Sequence, residues 1–413
     1  MTELEKLNIN KKFSKQSNGV RTPINHLLLM GPYWEIAGLV GIGTLALEQG
    51  ASVALSGDGS TVAIGTAYTI SEVAEGVYIF VNRNDSWIQQ AILPGVGYSV
   101  ALSYDGNYLV MGSPSVDDLN GATFVFHREN NVWTQMAKLV GMGTPQYPNI
   151  GFGLQGYSVA ISRNAKTIAI GGIFDNVLTG AVWIFSRIGD IWSQDAKIVG
   201  SNEGAPSYQG SSVALSADGM TLAEGGVEFI FPDLKGAVWV FQKNTNDGRW
   251  IQDGAKLVNP EANIFAQGTS VALDYCGELL AAGAPGAGDG FVLIYVRCND
   301  KWSRFGNPIK GGIESGFGAS VSLSNSGKLL AVGAPMDNNN FGATYVYKQN
   351  ECDYIQIQKV IGSAAGNPFQ GTDVSISANG KTLAIGGKGD INSGGEGSTQ
   401  GKTWIFEIDT SEC

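Results

Sequence analysis

The stretch Ser52-Val-Ala-Leu-Ser-Gly-Asp-Gly59 decides the fold, because close copies of it recur along the chain. The copies begin at Ser99, Ser158, Ser212, Ser270, Ser320 and Asp373, at intervals of 47, 59, 54, 58, 50 and 53 residues. Most copies end in Asp-Gly or Asn-Gly, which is typical of a hairpin turn because both residues accept a positive φ. A period of this length predicts a repeat architecture in which neighbouring units share one core.

Each repeat is interpreted as four antiparallel strands. The first is the Ser-Val-Ala-Leu-Ser run, and the others are represented by 222–226, 180–185 and 137–141. Small residues on the first strand suit the crowded centre of a propeller, and large aromatic residues further out fill the space between diverging blades. The recurring fourth-strand tryptophans are Trp87, Trp133, Trp192, Trp250 and Trp302. We interpret them as core between blades rather than as sugar-stacking platforms, and the sequence predicts an all-β, seven-bladed β-propeller of four-stranded antiparallel blades.

The two ends of the chain complement each other. The seventh repeat stops after Phe406 without a fourth strand, and Trp34-Glu-Ile-Ala-Gly-Leu-Val-Gly41 resembles a fourth strand that has no preceding partners. We therefore expect residues 33–41 to complete the last blade, which also removes an open sheet edge. This predicts one propeller domain over 33–413 and a partly disordered N-terminal arm over 1–32.

The sixth repeat resembles a known family. The runs Phe317-Gly-Ala-Ser-Val-Ser-Leu-Ser, Leu-Leu-Ala-Val-Gly-Ala-Pro335 and Gly342-Ala-Thr-Tyr-Val-Tyr347 resemble the FG-GAP repeat of integrin α-subunit propellers. The resemblance extends from about residue 33 to 407 and implies a propeller fold. The Ser-x-Asp-Gly turn followed by Leu-Ala-x-Gly is also similar to WD40 repeats, which is the second analogy. Neither resemblance fixes a function.

One departure from the FG-GAP pattern concerns calcium. Repeats of that family often carry an Asp-x-Asp-x-Asp-Gly loop, whereas here the turn holds one acidic residue, at Asp58, Asp105 and Asp218. Calcium takes six to eight oxygen ligands, usually with several carboxylates. We therefore interpret these aspartates as turn-forming residues and expect no calcium there.

Composition excludes several classes of partner. The net charge is −11 with only 26 Lys and Arg, so we expect no nucleic-acid partner. No apolar run approaches the roughly 18 residues that span a bilayer, and the polar first 26 residues lack a Sec signal pattern. This favours an intracellular or particle-associated protein.

Cys276 and Cys298 lie in turns on one face of a repeat, and either a disulfide or, in a reducing compartment, free thiols would suit them.

Catalytic patterns are sparse. The two histidines, His26 and His127, suggest neither a metal site nor a nucleophile–base pair, and we expect no cofactor. Paired carboxylates for glycosidic chemistry are the one enzymatic alternative. The candidates are Asp117, Asp118, Asp175, Glu224, Glu228, Asp233, Asp289 and Asp337. Glu224 interrupts an apolar second strand, and we interpret it as a side chain that faces the channel and has a water or polar partner.

The leading hypothesis is a non-enzymatic scaffold that binds a protein partner. Loops from the second to the third strand, and from the fourth strand to the next repeat, should emerge on one face and carry recognition. The candidate partner-binding residues are Tyr147, Pro148, Phe152, Tyr208, Phe229, Phe231, Asp117, Asp118 and Asp175. The alternatives are a structural component of a virion or surface layer, and a carbohydrate-binding or glycan-cleaving propeller. The sequence leaves the oligomeric state open.

Overall fold

Seven four-stranded antiparallel blades form the ring, as the repeats predict. The computed structural model describes residues 33–43, 48–66, 76–143, 153–201, 206–227, 235–261, 264–286, 288–351, 353–364, 366–389 and 400–408. The predicted arm, residues 1–32, lies outside them. No helix in these ranges is long and apolar enough to cross a bilayer.

The strands follow the repeats in order. Blade 1 contains β2 (Gln49–Leu55), β3 (Thr61–Thr66), β4 (Val77–Arg83) and β5 (Ser86–Leu93); blade 2 contains β6 (Ser99–Leu102), β7 (Tyr108–Ser113), β8 (Ala122–Glu129) and β9 (Val132–Leu139). Blade 3 contains β10 (Gln155–Ile161), β11 (Thr167–Gly172), β12 (Ala181–Ile188) and β13 (Ile191–Ile198); blade 4 contains β14 (Ser212–Leu215), β15 (Thr221–Val227), β16 (Gly236–Lys243) and β17 (Trp250–Gln252).

The remaining blades depart slightly from this plan. Blade 5 contains β18 (Ser270–Leu273), β19 (Leu279–Ala284), β20 (Phe291–Cys298) and an outer strand divided into β21 (Lys301–Arg304) and β22 (Ile309–Lys310). Blade 6 contains β23 (Ser320–Leu323), β24 (Leu329–Ala334), β25 (Ala343–Asn350) and β26 (Asp353–Val360). Blade 7 contains β27 (Asp373–Ile376), β28 (Thr382–Gly387), β29 (Lys402–Ile408) and, as its outer strand, β1 (Tyr33–Leu39).

The pairing of β1 with β29 confirms the predicted closure of the ring. The two strands are antiparallel, and Trp34 lies opposite Glu407. Tyr33, not Trp34, takes the buried aromatic position of the fourth strand, and its hydroxyl donates to the Gly380 carbonyl at 2.5 Å. Trp34 is 45% exposed. The sequence pattern matches Trp34 to the recurring tryptophan of the other fourth strands, but Tyr33 occupies that position. The match is therefore wrong by one residue, and such a shift moves a side chain to the opposite face of a strand.

Hydrophobic core lies between neighbouring blades. Ala63 and Ile79 of blade 1, for example, pack with Leu109 and Met111 of blade 2. On third strands, Trp183, Trp239 and Trp404 are fully buried. The fourth-strand tryptophans Trp87, Trp133, Trp192, Trp250 and Trp302 are half-buried against the same kind of cluster. The interpretation of these tryptophans as inter-blade core is confirmed.

The Gly that ends a fourth strand is required by the next blade. A Cβ built on Gly141 or Gly200 would lie 2.2 Å from the indole of Trp183 or Trp239, respectively. The same relation joins Gly362 to Trp404. Close packing leaves no space for the extra methyl group. The glycine of the Lys-Leu-Val-Gly element is therefore needed so that the aromatic ring of the following blade can pack against it.

A closed ring of backbone hydrogen bonds links the seven turns between first and second strands. Each N–H donates to the equivalent carbonyl of the next blade, at distances from 2.8 to 3.3 Å. The residues in order are Gly57, Tyr104, Arg163, Ala217, Tyr275, Asn325 and Ala378. The Ala378 N–H donates to the Gly57 carbonyl, which closes the ring. We call this ring the collar. It fixes the narrow end of the channel because every blade is held by both neighbours.

Candidate functional site: the loop face and the channel mouth

The variable loops lie on one face, which we call the loop face. Antiparallel pairing places the ends of second and fourth strands at the same end of each blade. The loops also contact one another, since the Gln155 N–H donates to the Asn120 carbonyl at 2.9 Å and the Gln209 N–H to the Thr179 carbonyl at 2.8 Å. The opposite face carries the hairpin turns, and we call it the turn face. It includes Cys276 and Cys298, which are both free and exposed.

A buried glutamine anchors most loop-face connections, and sequence reasoning missed it. Gln209 accepts a hydrogen bond from the Gly200 N–H at 2.5 Å and donates to the Gly200 carbonyl at 3.1 Å. Gln49, Gln155 and Gln370 hold Gly41, Gly141 and Gly362 in the same way. The Gln-Gly pair before the first strand recurs in five repeats and could have identified this role.

Most of the candidate carboxylates in the described loops pair with a lysine of their own blade. Asp175 is buried and lies 2.6 Å from Lys197 Nζ. Asp117 pairs with Lys138 at 2.8 Å on the surface. Asp289 and Asp337 pair with Lys310 and Lys359, each at 2.8 Å. Each lysine lies on or beside its blade's outer strand, so these pairs tie the loop between second and third strands to that strand.

Asp118 and Tyr208 are the other candidates that the structure places. Asp118 is exposed beside Asp117, and both have positive φ in a left-handed turn. Tyr208 is half-buried and meets Phe174 edge-on, with ring centroids 6.0 Å apart. Tyr147, Pro148, Phe152, Phe229, Phe231, Glu228 and Asp233 lie outside the described residues. The structure therefore places Asp117, Asp118, Asp175 and Tyr208 on the loop face of blades 2 and 3 or in the connection to blade 4.

Two further left-handed turns, besides the one that holds Asp117 and Asp118, shape this face. They span Asp175–Leu178 and Asp337–Asn340, and their inner residues have positive φ, with 46° at Asn176 and 55° at Val177. Positive φ is rare for a β-branched residue such as Val177. Val177 is 48% exposed, so this turn presents an apolar side chain to solvent.

Glu224 does not face the channel, which corrects the sequence interpretation. It is fully buried, and it lies on the same side of β15 as Leu222, which packs in the cluster between blades 3 and 4. Its carboxyl oxygens have no hydrogen-bond partner among the described residues. Burial raises the pKa of Glu224 well above its ordinary value, and the nearby Gly200 N–H opposes the shift only in part.

The loop-face mouth of the channel is a cavity of about 630 Å³ lined by the first residues of the inner strands. Ser99, Ser158, Ser212 and Ser270 each donate to a glycine carbonyl of the next blade, at 2.7–2.9 Å. These hydroxyls join neighbouring blades. Glu48 and Lys388 add two charged groups to the lining, which contains no histidine among the described residues.

Asp373 replaces serine in this circle and bridges blades 6, 7 and 1. It accepts hydrogen bonds from the Val53 N–H at 2.8 Å and the Ser320 hydroxyl at 2.7 Å. Burial raises the pKa of Asp373, and these hydrogen bonds oppose the shift. Through these two hydrogen bonds, Asp373 connects the last blade to blade 1 and to blade 6.

Apolar side chains are exposed at the outer rim of the loop face. The valine that precedes the terminal glycine, or its replacement, is exposed to nearly the same extent in successive blades: Val140 43%, Val199 45% and Val258 46%. Met142, next to this position in blade 2, is 72% exposed. We call Val140, Met142, Val177, Val199 and Val258 the apolar rim.

The turn aspartates act as the sequence predicts. Asp58 accepts hydrogen bonds from the Ser56 hydroxyl at 2.6 Å and the Ser60 N–H at 2.9 Å. Burial alone would raise the pKa of Asp58, but these hydrogen bonds outweigh it and lower the pKa. Within the described residues, no cluster of three or more His, Cys, Asp or Glu side chains could hold a metal ion.

Comparison with known proteins supports the architecture. No protein-family model and no curated protein sequence matches the chain. Among solved structures, hydrazine synthase of Kuenenia stuttgartiensis has a TM-score of 0.55 at 15% identity, over 84% of this chain and 94% of that chain. A putative 6-phosphogluconolactonase of Bacteroides uniformis gives 0.57 at 16% identity, over 77% and 87%. The WD40 repeats of RRP9 give 0.56 at 12%, over 92% and 99%. At identities this low, the similarity shows a shared propeller fold, and one of the similar structures is a WD40 propeller. It says nothing about the activity of this chain.

Proposed function

We propose that this chain is a non-enzymatic interaction scaffold that binds a protein partner through the loop face of blades 2–4. The observation that carries the proposal is the apolar rim, whose side chains are exposed in three consecutive blades. Exposed apolar residues grouped on one side of a rigid scaffold are typical of protein-binding surfaces. Tyr208 and Asp118, which the sequence predicted as partner-binding residues, lie on the same sector.

The polar groups of this face support binding rather than catalysis. Asp117, Asp175, Asp289 and Asp337 are each neutralised by a lysine, so they hold loops in place. A glycosidase needs two carboxyl groups arranged across one scissile bond. These four belong to four different blades, namely blades 2, 3, 5 and 6. The rigid connections instead present the rim in a fixed arrangement, which reduces the entropy lost on association.

We also infer that the repeat belongs with FG-GAP propellers of the integrin type. The support is the literal Phe317-Gly318 and the two Gly-Ala-Pro runs. Phe317 is fully buried and packs edge-on against Tyr345 and Tyr347, which suits a structural role for that aromatic position. Five other repeats carry glutamine at the same place, and there it anchors the preceding glycine or strand.

The test is a comparison of two triple variants of the full chain. Val140→Ser, Val199→Ser and Val258→Ser replace three of the five rim residues, and Val132→Ser, Ile188→Ser and Ile191→Ser replace more exposed apolar residues at turn-face hairpins. Both variants should melt like the wild type. Proteins crosslinked to the wild type in an extract of the source cells, and identified by mass spectrometry, should be lost from the rim variant and kept by the hairpin variant. Retention of every partner by the rim variant would exclude this surface.

A further inference from the structure

We propose that the turn-face mouth of the channel is a binding site for a small monocarboxylate, anchored by Arg163. This mouth is a cavity of about 170 Å³ on the face opposite the apolar rim. It is independent of the partner surface proposed above. A cavity of this size is smaller than the roughly 300–1,000 Å³ typical of drug-sized ligands, so its occupant is a small molecule or the end of a chain.

The collar supplies a rigid frame with unequal side chains. Four of its seven positions are small or short, at Gly57, Ala217, Asn325 and Ala378. The three large side chains are Tyr104, Arg163 and Tyr275. A Cβ on Gly57 would lie 2.0 Å from the Tyr104 ring, so the glycine leaves room for this ring beside the turn of blade 1.

Arg163 is stacked on tyrosine rings, and among the described residues no acceptor group receives a hydrogen bond from its side chain. Its guanidinium carbon is 3.4 Å from the centroid of the Tyr104 ring and 5.4 Å from that of Tyr275. Within the described part of the chain its side chain makes no hydrogen bond or ion pair. The other described arginines, Arg83, Arg128, Arg187, Arg249, Arg297 and Arg304, each donate to, or pair with, an oxygen atom. Stacking occupies the faces of a guanidinium and leaves its edge donors available for a carboxylate.

The surroundings of Arg163 select the charge and the shape of the ligand. Asp274 also lines this mouth, and its carboxylate accepts the backbone N–H groups of Glu278 and Leu279. A negative charge in the lining of the same mouth disfavours a dianion such as phosphate more than a monoanion. Beyond the collar, the cavity is lined by residues of the first strands: Leu55, Leu102, Leu215, Leu273, Leu323 and Ile376. Leu55, Leu323 and Ile376 also pack in the clusters between blades, so only part of each residue faces the cavity. A short chain on a carboxylate held by Arg163 would contact this part of the lining.

The experiment uses hexanoate as the probe and hexanamide as its uncharged match, measured by calorimetric titration of the full chain. We expect saturable binding of hexanoate and none of hexanamide. Arg163→Gln should raise the Kd at least about tenfold, because it removes a charge-assisted hydrogen bond. Arg83→Gln, at a hairpin outside the mouth, should leave it unchanged. Inorganic phosphate should bind more weakly than hexanoate.

A second variant keeps the proposal testable if Arg163→Gln fails to fold. Ala378→Phe fills the mouth from blade 7 and should abolish hexanoate binding while the melting temperature stays close to that of the wild type. Equal affinity in Arg163→Gln, or tight binding of hexanamide, would overturn the proposal. A pentapeptide that ends in leucine, compared with its C-terminal amide, separates the two sources of a carboxylate. Tighter binding of the free-acid peptide than of hexanoate assigns the site to a protein C-terminus, and the reverse assigns it to a free acid.

Discussion

At the residue scale, Glu224 is the least expected feature of the core. The equivalent positions of the other blades hold Ile64, Met111, Ile170, Ala282, Val332 and Ile385, all packed between blades. A carboxyl group in this place is favoured in its neutral form, since burial penalises the charge. We therefore expect the joint between blades 3 and 4 to depend on pH through Glu224.

We expect Glu224→Met to stabilise the protein at high pH. Because the folded-state pKa is raised above the ordinary value of 4.5, the unfolded chain releases this proton first. The ionisation of Glu224 thus leaves the stability of the wild type unchanged well below pH 4.5 and lowers it as the pH rises toward the folded-state pKa. At pH 8 the variant should exceed the wild type by about 1–3 kcal/mol in free energy of unfolding, as for a buried polar group without a partner.

Urea unfolding at pH 4, 6 and 8 measures this difference. The control is Glu278→Met, which replaces an exposed carboxyl on the turn face. The gain of Glu224→Met over the wild type should shrink as the pH falls toward 4. If both variants followed the pH dependence of the wild type, Glu224 would have no part in it.

At the scale of the element, a lysine on the outer strand of blades 2, 3, 5 and 6 pairs with an aspartate in the loop between the second and third strands. The same sequence pattern produces pairs of very different burial. The side chains of Lys197 and Asp175 are 20% and 1% exposed, whereas those of Lys138 and Asp117 are 40% and 42% exposed. Solvent screens the second pair far more than the first.

We expect Lys197→Met and Lys138→Met to differ in stability. Removing Lys197 leaves the buried Asp175 carboxylate without its lysine and should cost on the order of 3 kcal/mol. Removing Lys138 from an exposed pair should cost less than about 1 kcal/mol. Chemical unfolding of the two variants at pH 7 provides the comparison. Similar small losses would mean that Asp175 does not depend on Lys197, and its earlier assignment to partner binding would regain support.

At the scale of the molecule, the ring depends on its first strand. The β1 strand contributes Tyr33 to the core of blade 7 and Leu39 to the core between blades 7 and 1. Gln358 of blade 6 also accepts the Tyr33 N–H at 2.8 Å and donates to the Tyr33 carbonyl at 2.8 Å. Without β1, blade 7 would expose an unpaired edge and two neighbouring blades would lose contacts.

We expect removal of residues 1–41 to abolish cooperative unfolding. Removal of residues 1–32 alone keeps β1 and is the matched control, expected to retain one sharp transition. Differential scanning calorimetry compares both with the full chain. A chain without residues 1–41 that melted like the full chain would contradict closure by β1.

The sequence by itself determined the number of blades, their four strands and the closure by the N-terminal segment. These follow from the repeat period, the turn residues and the missing fourth strand, all of which are local patterns. It also placed Asp117, Asp118, Asp175 and Tyr208 on one face, because strand direction alone assigns a loop to an end of its blade.

Only the tertiary structure decided which neighbour each of those side chains meets. Second strands such as β15 are buried on both faces, so no alternation of polar and apolar residues shows which way Glu224 points. The lysine partners of the aspartates, the Gln–Gly anchors and the stack of Arg163 on Tyr104 join residues 8 to 59 positions apart. Such contacts depend on how strands and blades are set side by side, and this geometry comes from the closed ring rather than from any one repeat.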